Sequence, residues 1–258
     1  MSGIPKADYS SIAATYDSAR KLPSNSISQW TDLILEYGKP GKWGIFIDLG
    51  CGTGRFTIPV GLSGDINAIG ADYSQEMLEK ATAKPDAHSA GWIRCDAHKL
   101  PFASDSIQCV YMSMLLHHLD DMDLVFRGCH RILSAGGACL IRTCLHNDMK
   151  AMPVYQFMPK AYEIDHKRLP AFETIESSLR GAGFKGIGYI TIRQDLVSTL
   201  EQYMDKMRMR SISTLTFLSD DELRNGIESM YRHFDEIGED AALREVLTEP
   251  ITLIYAYK

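Results

Sequence analysis

The sequence Ile47-Asp48-Leu49-Gly50-Cys51-Gly52-Thr53-Gly54 joins a short apolar run to three closely spaced glycines. Such a run followed by glycines and the helical pattern that begins at Phe56 predicts a strand, a tight turn and a helix. Glycine allows the sharp turn, and the start of the helix offers free N–H groups to a ligand. Taken alone, the pattern is also explained by a purely structural turn.

The spacing of these glycines differs from that of the common nucleotide-binding loops. A dinucleotide fingerprint, G-x-G-x-x-G, requires its third glycine at position 55, which is Arg55. A phosphate-binding loop requires G-K-[ST], whereas Gly41-Lys42 is followed by Trp43. The G-x-G-x-G spacing therefore favours a ligand without a pyrophosphate.

Strand and helix patterns alternate on both sides of this turn. Helical spacing of apolar residues predicts helices within residues 1–40, and the glycines at 136 and 137 are expected to end a helix. We therefore predict an α/β fold, a Rossmann-like, mostly parallel seven-stranded sheet with helices on both faces, a helical N-terminal cap and a helical insertion before the last strand. The predicted strands are residues 44–49, 66–72, 91–96, 106–112, 138–143, 186–192 and 251–257.

Three acidic residues lie at the carboxyl ends of successive predicted strands. Asp48 lies at the end of the first predicted strand, Asp72 ends the second and Asp96 ends the third. Because ligands of such sheets bind at the carboxyl ends of the strands, we expect these carboxylates to converge. Asp72 is placed where an acidic side chain accepts hydrogen bonds from ribose hydroxyls.

With these motifs in place, the chain resembles the class I S-adenosylmethionine (SAM) dependent methyltransferases, specifically the ubiquinone/menaquinone-type and other small-molecule enzymes. Gln108 departs from this pattern, since the family usually has aspartate at the start of the fourth strand. The matching stretches are Ile47–Gly54, Gly70-Ala71-Asp72-Tyr73-Ser74-Gln75-Glu76-Met77-Leu78, Cys95-Asp96-Ala97-His98-Lys99-Leu100-Pro101-Phe102, Leu115-Leu116-His117-His118-Leu119 and Arg131-Ile132-Leu133-Ser134-Ala135-Gly136-Gly137.

The resemblance implies a cofactor, SAM, with S-adenosylhomocysteine as its product, and a set of residues that contact it. The glycine turn would lie beneath the methionine part, Asp72 on the ribose, Asp96 with Ala97 near the adenine, and Ser113 beside the methionine end. An N-terminal helix carrying Tyr16 and Arg20 would close over the ligand. The full predicted set is Tyr16, Arg20, Asp48, Gly50, Cys51, Gly52, Gly54, Asp72, Tyr73, Met77, Asp96, Ala97 and Ser113.

Methyl transfer needs a base only when the acceptor must lose a proton. His117 and His118, after the fourth strand, and His146, after the fifth, are candidate catalytic residues. For His117 and His118 the preferred alternative is a structural role, in which the pair shapes the loop. No metal site is expected, although a metal-assisted variant that uses His146, Asp148, Asp165 and His166 is conceivable.

We expect one domain over residues 1–258, with a helical cap at 1–40, a SAM-binding core at 41–145 and variable substrate-cover segments at 146–170 and 195–248. We expect residues 146–170 to be irregular, and Tyr155, Phe157, Met158, Tyr162 and the Met-rich helix at 203–209 either line a pocket or pack the insertion. A capping box, Ser219 to Glu222, predicts the start of a helix in the second segment.

The composition of the chain limits the kinds of partner that it is expected to bind. A formal net charge of −6 disfavours binding to nucleic acid, which needs a concentrated basic face. No segment approaches the roughly 20 apolar residues of a membrane span, and no signal peptide is evident. The six cysteines have no metal-ligand spacing and are expected to be buried thiols in the cytoplasm.

The leading hypothesis is thus an enzyme that methylates a small or medium-sized acceptor at O, N, C or S, with a homodimer left open. A SAM-binding sensor or partner protein without catalysis is one alternative. An RNA methyltransferase on the same fold is another.

Overall fold

A computed structural model of the chain describes residues 21–258, in which seven strands form one sheet. The strand order is β3-β2-β1-β4-β5-β7-β6. The seven-stranded, mostly parallel sheet surrounded by helices confirms the predicted fold class. The strands are β1 (Gly44–Leu49), β2 (Ile66–Asp72), β3 (Ala90–Arg94), β4 (Ile107–Ser113), β5 (Leu133–Thr143), β6 (Lys185–Asp195) and β7 (Thr248–Tyr257).

Helices connect these strands and fill the insertion before β7. Among the described residues the α-helices are α1 (Ser24–Gly38), α2 (Thr57–Leu62), α3 (Gln75–Thr82), α4 (Met122–Ile132), α5 (His146–Met149), α6 (Pro153–Phe157), α7 (Pro159–Arg168), α8 (Phe172–Gly181), α9 (Leu200–Arg208), α10 (Asp220–Ile237) and α11 (Glu239–Val246). Three 3₁₀ turns cover Ala87–Ser89, Leu116–His118 and Ser213–Phe217.

The register of the sheet brings the carboxyl ends of its central strands together. β1 pairs in parallel with β2 on one side and with β4 on the other, and β2 pairs in parallel with β3. β7 runs antiparallel to β5, with Ala138 opposite Tyr257. The chain order reverses between β1 and β4, which is where open α/β sheets bind their ligands.

The chain divides into two compact units. One comprises Ile27–Thr143, Ala171–Thr191 and Thr252–Lys258, and it contains most of the sheet. The other comprises Cys144–Pro170, Ile192–Ile251 and the described residues up to position 26. We call them the sheet unit and the helical unit.

The core of the sheet unit lies on the central strands, whose side chains are almost continuously buried. Ile47, Val110 and Leu140 have no solvent exposure, as expected for strands that are covered on both faces. All six cysteines are free thiols; five are buried and Cys95 is partly buried. None of the helices in residues 21–258 is long and apolar enough to span a membrane.

Three local predictions are wrong. Residues 146–170, expected to be irregular, contain helices α5, α6 and α7, because prolines at positions 153 and 159 occupy first turns, where their missing N–H costs nothing. Residues 134–137 do not cap a helix: α4 ends at Ile132, and these residues open β5. β3 ends at Arg94, two residues before Asp96.

Other helix predictions are confirmed. The capping box of α10 is formed, since the Ser219 Oγ accepts from the Glu222 N–H at 3.2 Å and the Glu222 carboxylate accepts from the Ser219 N–H at 2.8 Å. Of the N-terminal helical cap, the described part is α1, which buries Trp30 and Ile34 completely. Tyr16 and Arg20 lie outside the described residues.

Candidate cofactor-binding site

A turn of three glycines with left-handed backbone follows β1. The φ angles of Gly50, Gly52 and Gly54 are 73°, 55° and 76°, values that residues other than glycine rarely adopt. A Cβ atom on Gly50 would lie 2.7 Å from the Leu115 Cδ1, and one on Gly54 would lie 2.3 Å from the Trp92 indole. Space and backbone therefore both require glycine at these positions, and the bare turn lets a ligand approach the main chain.

Asp72 connects the end of β2 to this turn. Its Oδ2 accepts from the Gly52 N–H at 2.7 Å, and its Oδ1 accepts from the Ser74 N–H at 2.8 Å. Ser74 in turn caps α3, since its Oγ accepts from the N–H of the buried Met77 at 3.2 Å. Burial raises the pKa of the Asp72 carboxyl despite these hydrogen bonds. A carboxylate has about four lone-pair positions, so the Asp72 side chain retains capacity to accept from a ligand hydroxyl.

Asp48 lies beneath the turn. Its side chain is buried, and its Oδ2 accepts from the Thr57 hydroxyl at 2.6 Å. Burial raises the pKa of Asp48 from 3.8 to about 7, and the nearby charge of Asp72 adds to the rise. The carboxyl thus ties the end of β1 to the start of α2, which fixes the position of the glycine turn between them.

The raised pKa of Asp48 predicts a pH-dependent stability. The folded protein retains the Asp48 proton up to about pH 7, whereas the unfolded chain releases it near pH 3.8. The free energy of unfolding therefore falls as the pH rises between these two values, and it levels off above pH 7. We expect the wild type to lose at least about 1.4 kcal/mol more than Asp48→Asn between pH 4.5 and 7.5, the equivalent of one pKa unit. Urea unfolding at several pH values measures the difference, and parallel curves for the two proteins would contradict the assignment.

The edge of the site beyond β2 and β3 is more exposed. The Tyr73 side chain is 69% exposed, and its carbonyl accepts from the Arg94 Nε–H at 3.0 Å. The Asp96 Oδ1 accepts from the His98 N–H at 2.9 Å and lies 2.8 Å from the His98 Nδ1; these hydrogen bonds lower the pKa of Asp96. Ala97, between them, is partly buried.

Ser113, at the carboxyl end of β4, is held by a residue that the sequence analysis did not identify. The Arg142 Nη1 donates to the Ser113 Oγ at 3.3 Å. The buried Arg142 guanidinium lies 4.7 Å from the Trp30 ring and 5.5 Å from the Phe56 ring, as in cation–π contacts. The sequence signal for Arg142 is a charged residue within a largely apolar predicted strand.

The three candidate bases lie in two places. His117 and His118 share the 3₁₀ turn after β4, with ring centroids 4.1 Å apart. His146, in the helical unit, has its Nε2 2.8 Å from the Leu169 carbonyl and its ring stacked 4.0 Å from that of His166. A carbonyl only accepts, so the His146 Nε2 carries a proton and only Nδ1 remains to act as a base.

No group of three or more metal-ligating side chains occurs within residues 21–258. Three of the four residues named for a metal-assisted variant make other contacts in the helical unit. His146 and His166 stack on each other, and Asp165 accepts from the Tyr155 hydroxyl at 2.8 Å.

The described part of the site fits an adenosyl ligand. The turn carries no side chains at Gly50, Gly52 and Gly54, so its main chain is accessible to hydrogen bonding, and Asp72 presents acceptor oxygens beside it. The ends of β1 and β2, which carry Asp48 and Asp72, lie side by side, because the two strands pair in parallel with Leu49 opposite Ala71. The strand order and the glycine turn after β1 are those of a class I methyltransferase fold.

Comparison with known proteins agrees with this class. Residues 47–141 match the family described as "Methyltransferase domain". The matched residues run from β1 to β5 and include the glycine turn and Asp72.

Its relatives include ubiquinone/menaquinone biosynthesis C-methyltransferases. The chain is 33% identical over 141 residues to that of Desulfotalea psychrophila, an alignment that covers 54% of this chain and 56% of the relative, so the match spans little more than half of that protein. It is 25% identical over 223 residues to that of Klebsiella pneumoniae, covering 76% of this chain and 88% of the relative.

A solved structure shares the fold over nearly the whole chain. It is a methyltransferase from an antibiotic biosynthesis pathway of Anabaena variabilis, with a TM-score of 0.75 and 17% identity. The similarity covers 92% of this chain and 98% of that one. At this identity it supports the fold alone.

Proposed function

We propose that this chain is a SAM-dependent methyltransferase, which transfers the methyl group of SAM to a small or medium-sized organic acceptor. The observation that carries the proposal is the Asp72 carboxylate, which joins the end of β2 to the glycine turn through the Gly52 N–H. Its remaining acceptor capacity suits the two hydroxyls of a ribose. The similarity to ubiquinone/menaquinone C-methyltransferases supports a small-molecule acceptor and makes carbon one of the candidate atoms.

We assign the following roles within this proposal. The turn from Gly50 to Gly54, with Cys51, lies beneath the methionine part of the cofactor, and Ser113 contacts the methionine end. Asp72 binds the ribose, and Tyr73, Met77, Asp96 and Ala97 surround the adenosine. Tyr16 and Arg20, outside the described residues, are proposed to cover the ligand.

The protein mainly positions the reactants. The cofactor, when bound, supplies a methyl group on a positively charged sulfonium, which is already a good leaving group. The glycine turn and Asp72 would hold the cofactor in one orientation. Displacement of the methyl group then requires only an aligned acceptor and the exclusion of water. Asp48 stabilises the turn from below through Thr57.

Titration calorimetry with SAM and S-adenosylhomocysteine tests the cofactor. We expect saturable binding of both ligands and none of NAD. Incubation with SAM and panels of small quinols, phenols, amines and thiols, followed by detection of S-adenosylhomocysteine, tests the acceptor. Binding of SAM without turnover on any panel would support the sensor alternative, and turnover only on RNA would overturn the acceptor class.

We propose that the pair His117 and His118 contains the base for acceptors that lose a proton. Alanine at the base position is expected to lower kcat about 100-fold or more and to remove the acidic limb of the pH–rate profile, with little change in SAM affinity. The exposed His88, at the opposite edge of the sheet before β3, is the matched control for a His→Ala change. Wild-type turnover in both His117→Ala and His118→Ala would leave the pair with a structural role.

We propose further that residues 146–170 and 195–248 select the acceptor within a single functional domain. Tyr155 and Met158 are buried in the helical unit, so their contribution to a pocket is through packing. A cytoplasmic location and a homodimer stay predictions. Size-exclusion chromatography with light scattering tests the homodimer.

A further inference from the structure

A buried arginine in the helical unit has one of its two hydrogen-bonding edges occupied. Arg168 is the last residue of α7, and its side chain is 1% exposed. Its Nη1 lies 3.2 Å from the Asp165 Oδ1, 2.9 Å from the Thr214 Oγ1 and 3.5 Å from the Ser213 Oγ. These contacts fix the guanidinium in place and balance its charge at one edge.

The other edge of the guanidinium has no partner in the described part of the chain. Both Arg168 Nε and Arg168 Nη2 are buried and lack a hydrogen-bond partner. Together they carry three of the five N–H donors of the side chain. Buried polar groups are nearly always paired, and charged donors most of all, so this edge calls for an acceptor.

The arrangement of the free donors specifies the acceptor. Nε and Nη2 lie on the same side of the planar guanidinium and form a two-pronged fork, which matches the two coplanar oxygens of a carboxylate. The Phe217 ring lies 5.0 Å from the Arg168 Cζ and covers one face of the group. A ligand would therefore pair with the unpartnered edge, in the plane of the guanidinium.

Between a carboxylate and a phosphate, the charges nearby favour the carboxylate, because it brings the smaller negative charge. Asp165 already supplies one negative charge to Arg168, and both of its oxygens are engaged, Oδ2 by the Tyr155 hydroxyl at 2.8 Å and Oδ1 by Thr214. A phosphate dianion would place two further negative charges against a guanidinium that is already balanced. A carboxylate brings one charge and two oxygens, which the fork can pair completely.

We propose that the Nε and Nη2 edge of Arg168 is a binding site for the carboxylate group of a small molecule. Asp165, Thr214 and Ser213 orient the guanidinium, and Tyr155 holds Asp165. The site is formed entirely by residues of the helical unit, and none of them is assigned to the proposed adenosyl site. This proposal does not depend on the methyl-transfer proposal, and the two are tested separately.

Formate, the smallest carboxylate, is a suitable probe for an enclosed site. Sodium formate titrated at constant ionic strength is expected to shift the ¹H–¹⁵N signal of the Arg168 Nε–H saturably in the full-length protein. Sodium phosphate, titrated in the same way, is expected to leave this signal in place. An Arg168 signal that ignores formate, or that responds to phosphate at lower concentration than to formate, overturns the proposal.

Matched variants test the fork itself. Arg168→Lys keeps the charge but loses the paired donors, and we expect it to bind ¹³C-formate about tenfold more weakly or worse, measured by the relaxation of the formate carbon. Arg224→Lys makes the same change at the exposed Arg224 in α10, which pairs with Asp221, and should bind formate as the wild type does. Equal formate binding by Arg168→Lys and the wild type overturns the assignment. Should Arg168→Lys not fold, the wild-type Nε–H titration decides.

Discussion

Replacing Asp72 by asparagine is expected to weaken SAM binding about 10- to 100-fold, because hydrogen bonds to a charged group contribute about 1.5–3 kcal/mol. The carboxylate serves two partners at once in the proposed complex. It holds the Gly52 N–H at 2.7 Å and offers its remaining lone pairs to the ribose hydroxyls. An amide keeps one acceptor oxygen, turns the other into a donor and removes the charge. Titration calorimetry with SAM measures the loss.

The surface residue Asp65 provides the control for this substitution. It pairs with Lys42 at 3.3 Å, and its side chain is 56% exposed, at the opposite edge of the sheet before β2. Asp65→Asn should bind SAM as the wild type does. Thermal unfolding of both variants shows whether Asp72→Asn is still folded. A folded Asp72→Asn variant with unchanged SAM affinity would falsify the assignment of this carboxylate to the ribose.

The predictable part of the fold is the part governed by local pattern. β1 and β2 coincide with their predicted bounds, because each is a short apolar run with an acidic residue at or next to its last position, followed by a turn. The glycine turn and Asp72 followed from the same reasoning, since parallel strands end at a common edge. Here the sequence signal and the tertiary structure agree.

Local patterns fail where tertiary packing decides. Residues 146–170 are rich in Met, Pro and Tyr, which weakens any helical pattern, yet α6 and α7 form and pack on each other. Gly136 and Gly137 resemble a helix cap, but pairing of β5 with β4 extends the strand back to Leu133. Long-range pairing overrode the local preference in both cases.

The missed site residues depend on contacts between distant parts of the chain. Arg142 reaches Ser113 and stacks on Trp30, 112 residues earlier (142 − 30), which no spacing in the sequence indicates. The fork of Arg168 is likewise visible only once Thr214 is known to occupy the opposite edge. Sequence periodicity places residues on faces, but it does not pair them across the fold.

Replacing Gly54 by alanine is expected to destabilise the protein by about 2–5 kcal/mol, from two causes that a control can separate. The first is the left-handed backbone, with φ of 76°, which costs an alanine about 1–2 kcal/mol. The second is the Trp92 ring, which would lie 2.3 Å from the new Cβ. The indole cannot move away freely, because its Nε1 donates to the Ala87 carbonyl at 3.0 Å.

Gly136 isolates the backbone cost. Its φ is also 76°, but nothing lies within 4 Å of a Cβ built there, and it lies in the first part of β5, away from the carboxyl ends that form the site. Gly136→Ala should therefore lose only the backbone contribution and keep its SAM affinity, whereas Gly54→Ala should lose more stability and bind SAM more weakly. Urea unfolding and calorimetry on both variants give the comparison. Equal losses of stability in the two variants would show that the Trp92 ring adjusts to the new Cβ without strain. Equal SAM affinities would show that the close packing at Gly54 contributes nothing to SAM binding.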